Sequence, residues 1–128
     1  MQALLWVAVG SAIGGTMRFW VSGVVARLVG ETFPWGTLAV NVTGAFAIGL
    51  FAAASLGGGM VATLEARHLV MTGILGSYTT VSSFSLQTLS LARDGEWPQV
   101  LGNIALSLAL CLGAVCLGFA AGGAMFAR

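Results

Sequence analysis

The placement of charge constrains this chain more than any other feature. Five basic and four acidic residues are spread over 128 positions, and all but Arg18 fall in short clusters or at the C-terminus. Between them lie four long apolar runs, at about 3–26, 35–56, 69–92 and 97–127. A helix that crosses a bilayer needs ~20 mostly apolar residues, and each run meets that length. Only 7% of the residues are charged and 58% are hydrophobic, against about 25% charged in a soluble domain. A soluble chain this short has too much surface for its volume to hide so much apolar area. Lipid is therefore the expected solvent. The expected fold class is all-α: one transmembrane domain with helices over about 3–28, 35–56, 66–92 and 97–126. The first run begins at once, with no basic leader ahead of it, and reads as a retained span rather than a signal peptide.

The links support this division. Residues 27–34, the loop opened by Gly57-Gly58-Gly59 and closed by Glu65, Arg67 and His68, and the turn Arg93-Asp94-Gly95-Glu96 are short. Short links favour antiparallel neighbours in a bundle. Pro34 and Pro98 stand at helix starts, where a missing N–H costs little. Gly10 with Gly14, and Gly118 with Gly122, are spaced to let helices approach closely. Four spans put Arg67 and Arg128 on one side and Arg27 and Arg93 on the other. Two against two gives no direction by the positive-inside rule. Either the chain inserts both ways and pairs head to tail, or its insertion is set by something other than its own charges.

Several function classes are excluded. A net charge of +1 leaves no basic field for nucleic acid. Cys111 and Cys116, five apart on one helix, face different ways and suit neither a local disulfide nor a metal pair. The apolar runs hold no carboxylate, and no nucleophile–base pair can be placed, so an enzyme is not expected.

Three features break the apolar pattern. Seven of the ten residues from Gly76 to Ser85 carry hydroxyls. Such a stretch is either a seam of small polar residues between helices or a local break, which is tolerated at membrane depth only inside protein or beside a wet cavity. Freed carbonyls at a break can hold a cation. Asn41 lies in an uncharged span, where its amide must find partners; it either ties two helices together or donates to an anion. Arg18 can reach the interface or bond to helix-end carbonyls, and the structural role is the expected one.

Three motifs, in order and across essentially the whole chain, resemble the CrcB/Fluc family of fluoride channels. They are Gly14-Gly15-Thr16-Met17-Arg18-Phe19-Trp20; Gly36-Thr37-Leu38-Ala39-Val40-Asn41-Val42-Thr43-Gly44; and Thr72-Gly73-Ile74-Leu75-Gly76 followed by Thr79-Thr80-Val81-Ser82-Ser83-Phe84-Ser85. The resemblance implies a passive, fluoride-selective channel that exports cytoplasmic fluoride across a bacterial inner membrane and lowers its toxicity. It implies a third helix broken mid-span and an antiparallel, dual-topology homodimer. It also implies a structural sodium ion at the dimer centre, held by the main-chain carbonyls of Gly76 and Thr79. The implied fluoride pore comprises Asn41, Phe84 and Ser83, with Asn103 and Ser107 from the fourth helix.

The chain departs from the family pattern inside that pore. Val81 replaces the first of two phenylalanines, Gln87 replaces an acidic residue, and Ser77 and Tyr78 replace smaller residues. A non-conducting or partner subunit of a heterodimeric channel is the first alternative. A small dual-topology, proton-coupled exporter is the second, and it wants an intramembrane carboxylate that the runs lack.

Overall fold

The computed structural model describes residues 1–58 and 60–126. Gly59 of the glycine loop, Ala127 of the fourth run and Arg128 of the orientation count lie outside the described residues. Among the described residues the regular structure is helical throughout. Helix α1 (Gln2–Val29) ends at Gly30, whose φ of 97° suits glycine, and α2 (Trp35–Leu56) starts directly after Pro34. A single 3₁₀ turn, Met60–Ala62, leads to α3 (residues 64–78), where the Thr63 hydroxyl accepts the Ala66 N–H and caps the first turn. Then come α4 (Val81–Arg93), a turn through Gly95 at φ 76°, and α5 (Trp97–Phe126). Four helical stretches are long and apolar enough to cross a membrane: Gln2–Val29, Trp35–Leu56, Leu64–Arg93 and Trp97–Phe126.

Within α3 the segment Arg67–Leu75 is wound as a π-helix. Nine residues is long for a geometry that mostly occurs as single-turn bulges.

Glycine sets the helix spacing. The most extensive packing joins α2 to α5. A Cβ on Gly118 would strike the Phe46 carbonyl, and one on Gly122 would lie 2.7 Å from Ala53 Cβ. On the other side α1 packs on the π-wound part of α3. There a Cβ on Gly10 would strike the Leu69 carbonyl and approach Gly73 Cα to 2.8 Å. Both small-xxx-small pairs therefore lie at backbone-to-backbone contacts, the close approach such residues permit.

The interior this leaves is small. It includes Leu38, Val40, Leu75, Tyr78 and Val100, together with the polar Thr37, Thr80 and Asn103. Large apolar side chains face outward instead, among them Phe19, Leu101, Leu108, Leu112 and Leu117. Exposed apolar area on this scale is costly in water at about 25 cal/mol per Å² and carries no such cost against lipid tails. Helix α4 is held lightly, by α5 and a short stretch of α2.

Candidate functional site

The polar stretch of the third run meets Asn41 of α2. Helix α3 stops at Tyr78 and α4 starts at Val81. Thr79 (φ −76°, ψ 159°) and Thr80 (φ −152°, ψ 124°) between them are extended. The Thr79 N–H still closes on the Leu75 carbonyl at 3.1 Å, but Thr80 has left the i to i−4 ladder, so its N–H and C=O need other partners. Asn41 supplies both for Thr80. The Thr80 N–H donates to Asn41 Oδ1 at 2.7 Å, and Asn41 Nδ2 donates to the Thr80 carbonyl at 2.9 Å. This pairing fixes the amide orientation, because an N–H only donates and a carbonyl only accepts. Among the described residues the second Nδ2 hydrogen of Asn41 has no partner.

The same pairing affects Gly76. In a continuous helix the Thr80 N–H would close on the Gly76 carbonyl; here it is committed to Asn41. Gly76 is exposed. The half-buried Thr79 presents its carbonyl to Arg18 Nη1 at 3.5 Å, a long contact. Its own hydroxyl donates back to Leu75 at 3.0 Å. Arg18, half-buried on α1, thus lies beside the interruption.

Thr80 organises the start of α4. Its hydroxyl accepts the Ser83 N–H at 3.2 Å, an N-cap. It also donates to Ser83 Oγ at 3.2 Å and meets Ser82 Oγ at 3.2 Å. Gly44 makes room for the interruption, since a Cβ there would strike Thr79 Cγ2 and come within 3.1 Å of Tyr78 Cδ1. The buried Tyr78 hydroxyl pairs with Thr43 Oγ1 at 2.9 Å.

The remaining sequence-predicted residues lie around this cluster. Phe84 is half-buried on α4, one turn below the cap, and Val81 is 77% exposed. Asn103 is 2% exposed and donates to Thr88 Oγ1 at 2.9 Å, and Thr88 donates to the Phe84 carbonyl at 2.6 Å. Ser107 is half-buried one turn further along α5. Asn41, Thr79, Ser83 and Arg18 are thus brought together, and Asn103 is joined to α4 beside Phe84. Among the described residues no hydrogen bond links Ser107 to the cluster. A cleft of about 460 Å³ opens beside it, lined in part by Phe19, Ser22, Thr37, Ser83 and Gln87. The Gln87 Oε1 is buried without a hydrogen-bond partner.

Sequence reasoning assigned no role to Thr80, Thr43 or Tyr78. For Thr80 a signal was present: a threonine just ahead of a helix start is a common N-cap. Nothing in the sequence pairs Thr43 with Tyr78.

The cluster lies within the part of the chain that matches a known family. The family model described as CrcB-like protein, Camphor Resistance (CrcB), matches residues 5–119, from the first turns of α1 through most of α5. The chain belongs to the CrcB family. A relative from Rhodopseudomonas palustris (strain BisB18), named fluoride-specific ion channel FluC 2, is 61% identical over 122 residues, covering 94% of this chain and 93% of the relative. A protein of the same name from Bradyrhizobium diazoefficiens is 55% identical over 93% of this chain and 88% of the relative. The fluoride-specific ion channel FluC of Opitutus terrae is 56% identical over 92% and 90%. With four helices able to span a bilayer, this CrcB-family chain is a multi-pass membrane protein.

Proposed function

We propose that the chain is a passive fluoride channel, not an enzyme, and that the interrupted third span is its selectivity element. The observation that carries the reading is the double bond pair between Asn41 and Thr80, in a chain whose relatives are named fluoride-specific channels. Fluoride holds its water tightly, so a pore must replace that water with donors. The uncommitted Nδ2 hydrogen of Asn41 and the hydroxyls of Ser83 and Ser107 are such donors. Phenyl edges are positive, which suits Phe84 to an anion met edge-on. The start of α4 adds N–H groups that have no partner within the helix. Asn103 fixes α5 against α4 next to Phe84.

The interruption offers the opposite charge preference at its other end. The Gly76 carbonyl lacks its usual N–H, and the Thr79 carbonyl has only a long contact. Such carbonyls fit a sodium ion, as helix-end oxygens do in discontinuous transporter helices. A bound sodium would neutralise carbonyl dipoles where two copies meet. The proposed assembly is an antiparallel, dual-topology homodimer in the cytoplasmic membrane. It is supported by the balanced arginines and by the lightly held α4, whose Val81 and Leu86 are exposed. Export needs no energy source beyond the membrane potential, since ~100 mV is worth about 2.3 kcal/mol per charge, roughly 50-fold in concentration.

A second reading is favoured by one observation. Val81, 77% exposed, presents a smaller side chain where the family pattern has phenylalanine. In that reading the chain conducts only beside a different CrcB-family subunit. Expression in a bacterium stripped of fluoride export tests both. Restored growth on fluoride with this chain alone supports the homodimer, and restoration only with a second subunit supports the alternative. Continued sensitivity in both cases, with the protein present in the membrane, contradicts both.

A further inference from the structure

Seven hydroxyls of this chain turn back on their own helix. Thr16, Ser22, Thr43, Ser55, Ser77, Thr79 and Thr88 each donate to the carbonyl four residues earlier. This is the common resting state of serine and threonine in apolar helices, and a hydroxyl so engaged has no proton left for a ligand. For Ser83 the residue four earlier, Thr79, lies before the helix in extended backbone, so no such carbonyl is in register. Ser83 Oγ instead accepts from the Thr80 hydroxyl at 3.2 Å.

Counting donors and acceptors fixes the direction of this relay. A threonine hydroxyl has one proton and two lone pairs. Thr80 accepts the Ser83 N–H and donates its proton to Ser83 Oγ. In the contact with Ser82 it is left to accept. Its capacity is then complete. Ser83 receives a proton from Thr80, and its own O–H is left over. Ser83 lines the 460 Å³ cleft, where a proton not spent on the protein can meet an anion.

We propose that Thr80 is a positioning residue for anion conduction: by donating to Ser83 Oγ it holds the Ser83 O–H toward the cleft. The inference rests on the fluoride-channel reading. The donation also polarises the Ser83 O–H, because successive hydrogen bonds strengthen one another. Without the Thr80 proton, Ser83 Oγ loses the contact that sets the direction of its own O–H, and the hydroxyl is free to turn from the cleft. Phe84 and Asn41 would be unchanged, so the chain would keep its pore but lose a donor from it.

The test is fluoride efflux from liposomes holding the parent chain, Thr80→Val, Thr80→Ser, Ser83→Ala and the double variant Thr80→Val with Ser83→Ala. Losing one neutral hydrogen bond on the path corresponds to about tenfold in rate. Thr80→Val and Ser83→Ala are each expected to lose about tenfold, and the double variant no more than either alone. Thr80→Ser, which keeps both cap and donor, is expected within about twofold of the parent. A purely capping Thr80 acts on the Ser83 backbone N–H, which Ser83→Ala preserves. In that case the losses multiply to about a hundredfold, and the proposal is overturned. Should Thr80→Val fail to assemble, Ser83→Ala still decides: parental flux in Ser83→Ala shows that its hydroxyl is not an anion donor and overturns the proposal. Absence of efflux from the parent itself overturns the channel reading, whereas a conducting parent with multiplicative losses overturns only the role of Thr80.

Discussion

Replacing Asn41 by aspartate separates the two roles of its amide. Nδ2 lies 2.9 Å from the Thr80 carbonyl, so an ionised carboxylate there sets oxygen against oxygen. The lost bond and the unpaired carbonyl cost about 1–3 kcal/mol. For an anion in the pore the penalty is larger. At ~4 Å and an effective dielectric of ~20 the repulsion is about 4 kcal/mol, roughly a thousandfold in rate at about 1.4 kcal/mol per decade. Protonation reverses both effects, because a carboxyl O–H can donate to the Thr80 carbonyl as the amide did. Flux in the aspartate variant is therefore expected to be larger with the carboxyl protonated, at low pH, than with it ionised. Asn41→Ala leaves the Thr80 N–H and C=O both unpaired, about 1–3 kcal/mol each, with no pH dependence from the site. Fluoride efflux from liposomes at several pH values, corrected for protein-free vesicles, reads the flux. Size-exclusion chromatography in detergent checks assembly. Parental flux in both variants, or an aspartate variant as flat with pH as the alanine variant, refutes the reasoning.

Other substitutions test the packing beneath the site. Gly44→Ala drives a methyl into Thr79 Cγ2 and toward Tyr78; a fall in flux of at least tenfold is expected, read as efflux per assembled protein. Gly118→Ala meets the Phe46 carbonyl, a backbone atom that cannot step aside, and overpacking of this kind costs about 1–3 kcal/mol, read as a lower thermal transition in detergent. Asn103→Leu removes the bond to Thr88 from a residue only 2% exposed and should lower the same transition, since it leaves Thr88 without its α5 donor. Val81→Phe adds an aromatic at a position 77% exposed within the chain, so monomer packing should not change; an increase in flux is expected if that ring faces the pore. Replacing sodium with a bulky organic cation should slow efflux reversibly, with lithium the informative comparison because it is smaller.

How much was legible in the sequence depended on whether the signal was local. The four spans could be read directly, because an apolar run of ~20 residues or more matches the thickness of a bilayer. The third run was legible as an anomaly, since seven hydroxyls beside Gly76 do not suit a lipid-facing helix. Membership of the CrcB family was carried by motif residues on three of the four spans. The bonding was not legible. Asn41 meets Thr80 across 39 positions, and nothing in either neighbourhood names the other as partner. From the sequence Asn41 was either helix glue or an anion donor, and its geometry leaves room for both, with two bonds to Thr80 and one hydrogen free. Thr43 with Tyr78 is the same kind of case. The π winding of Arg67–Leu75 was also hidden, because its apolar pattern fits α and π turns alike.

The most direct test of the account is voltage-driven fluoride efflux from liposomes containing only this chain. Potassium-loaded vesicles given a potassium ionophore supply the potential, and a fluoride electrode reads release, with chloride-loaded vesicles run in parallel. The account predicts rapid fluoride release that needs no proton gradient or nucleotide, together with chloride release no faster than from empty vesicles. Fluoride retention until detergent is added, or chloride release at a similar rate, would contradict it.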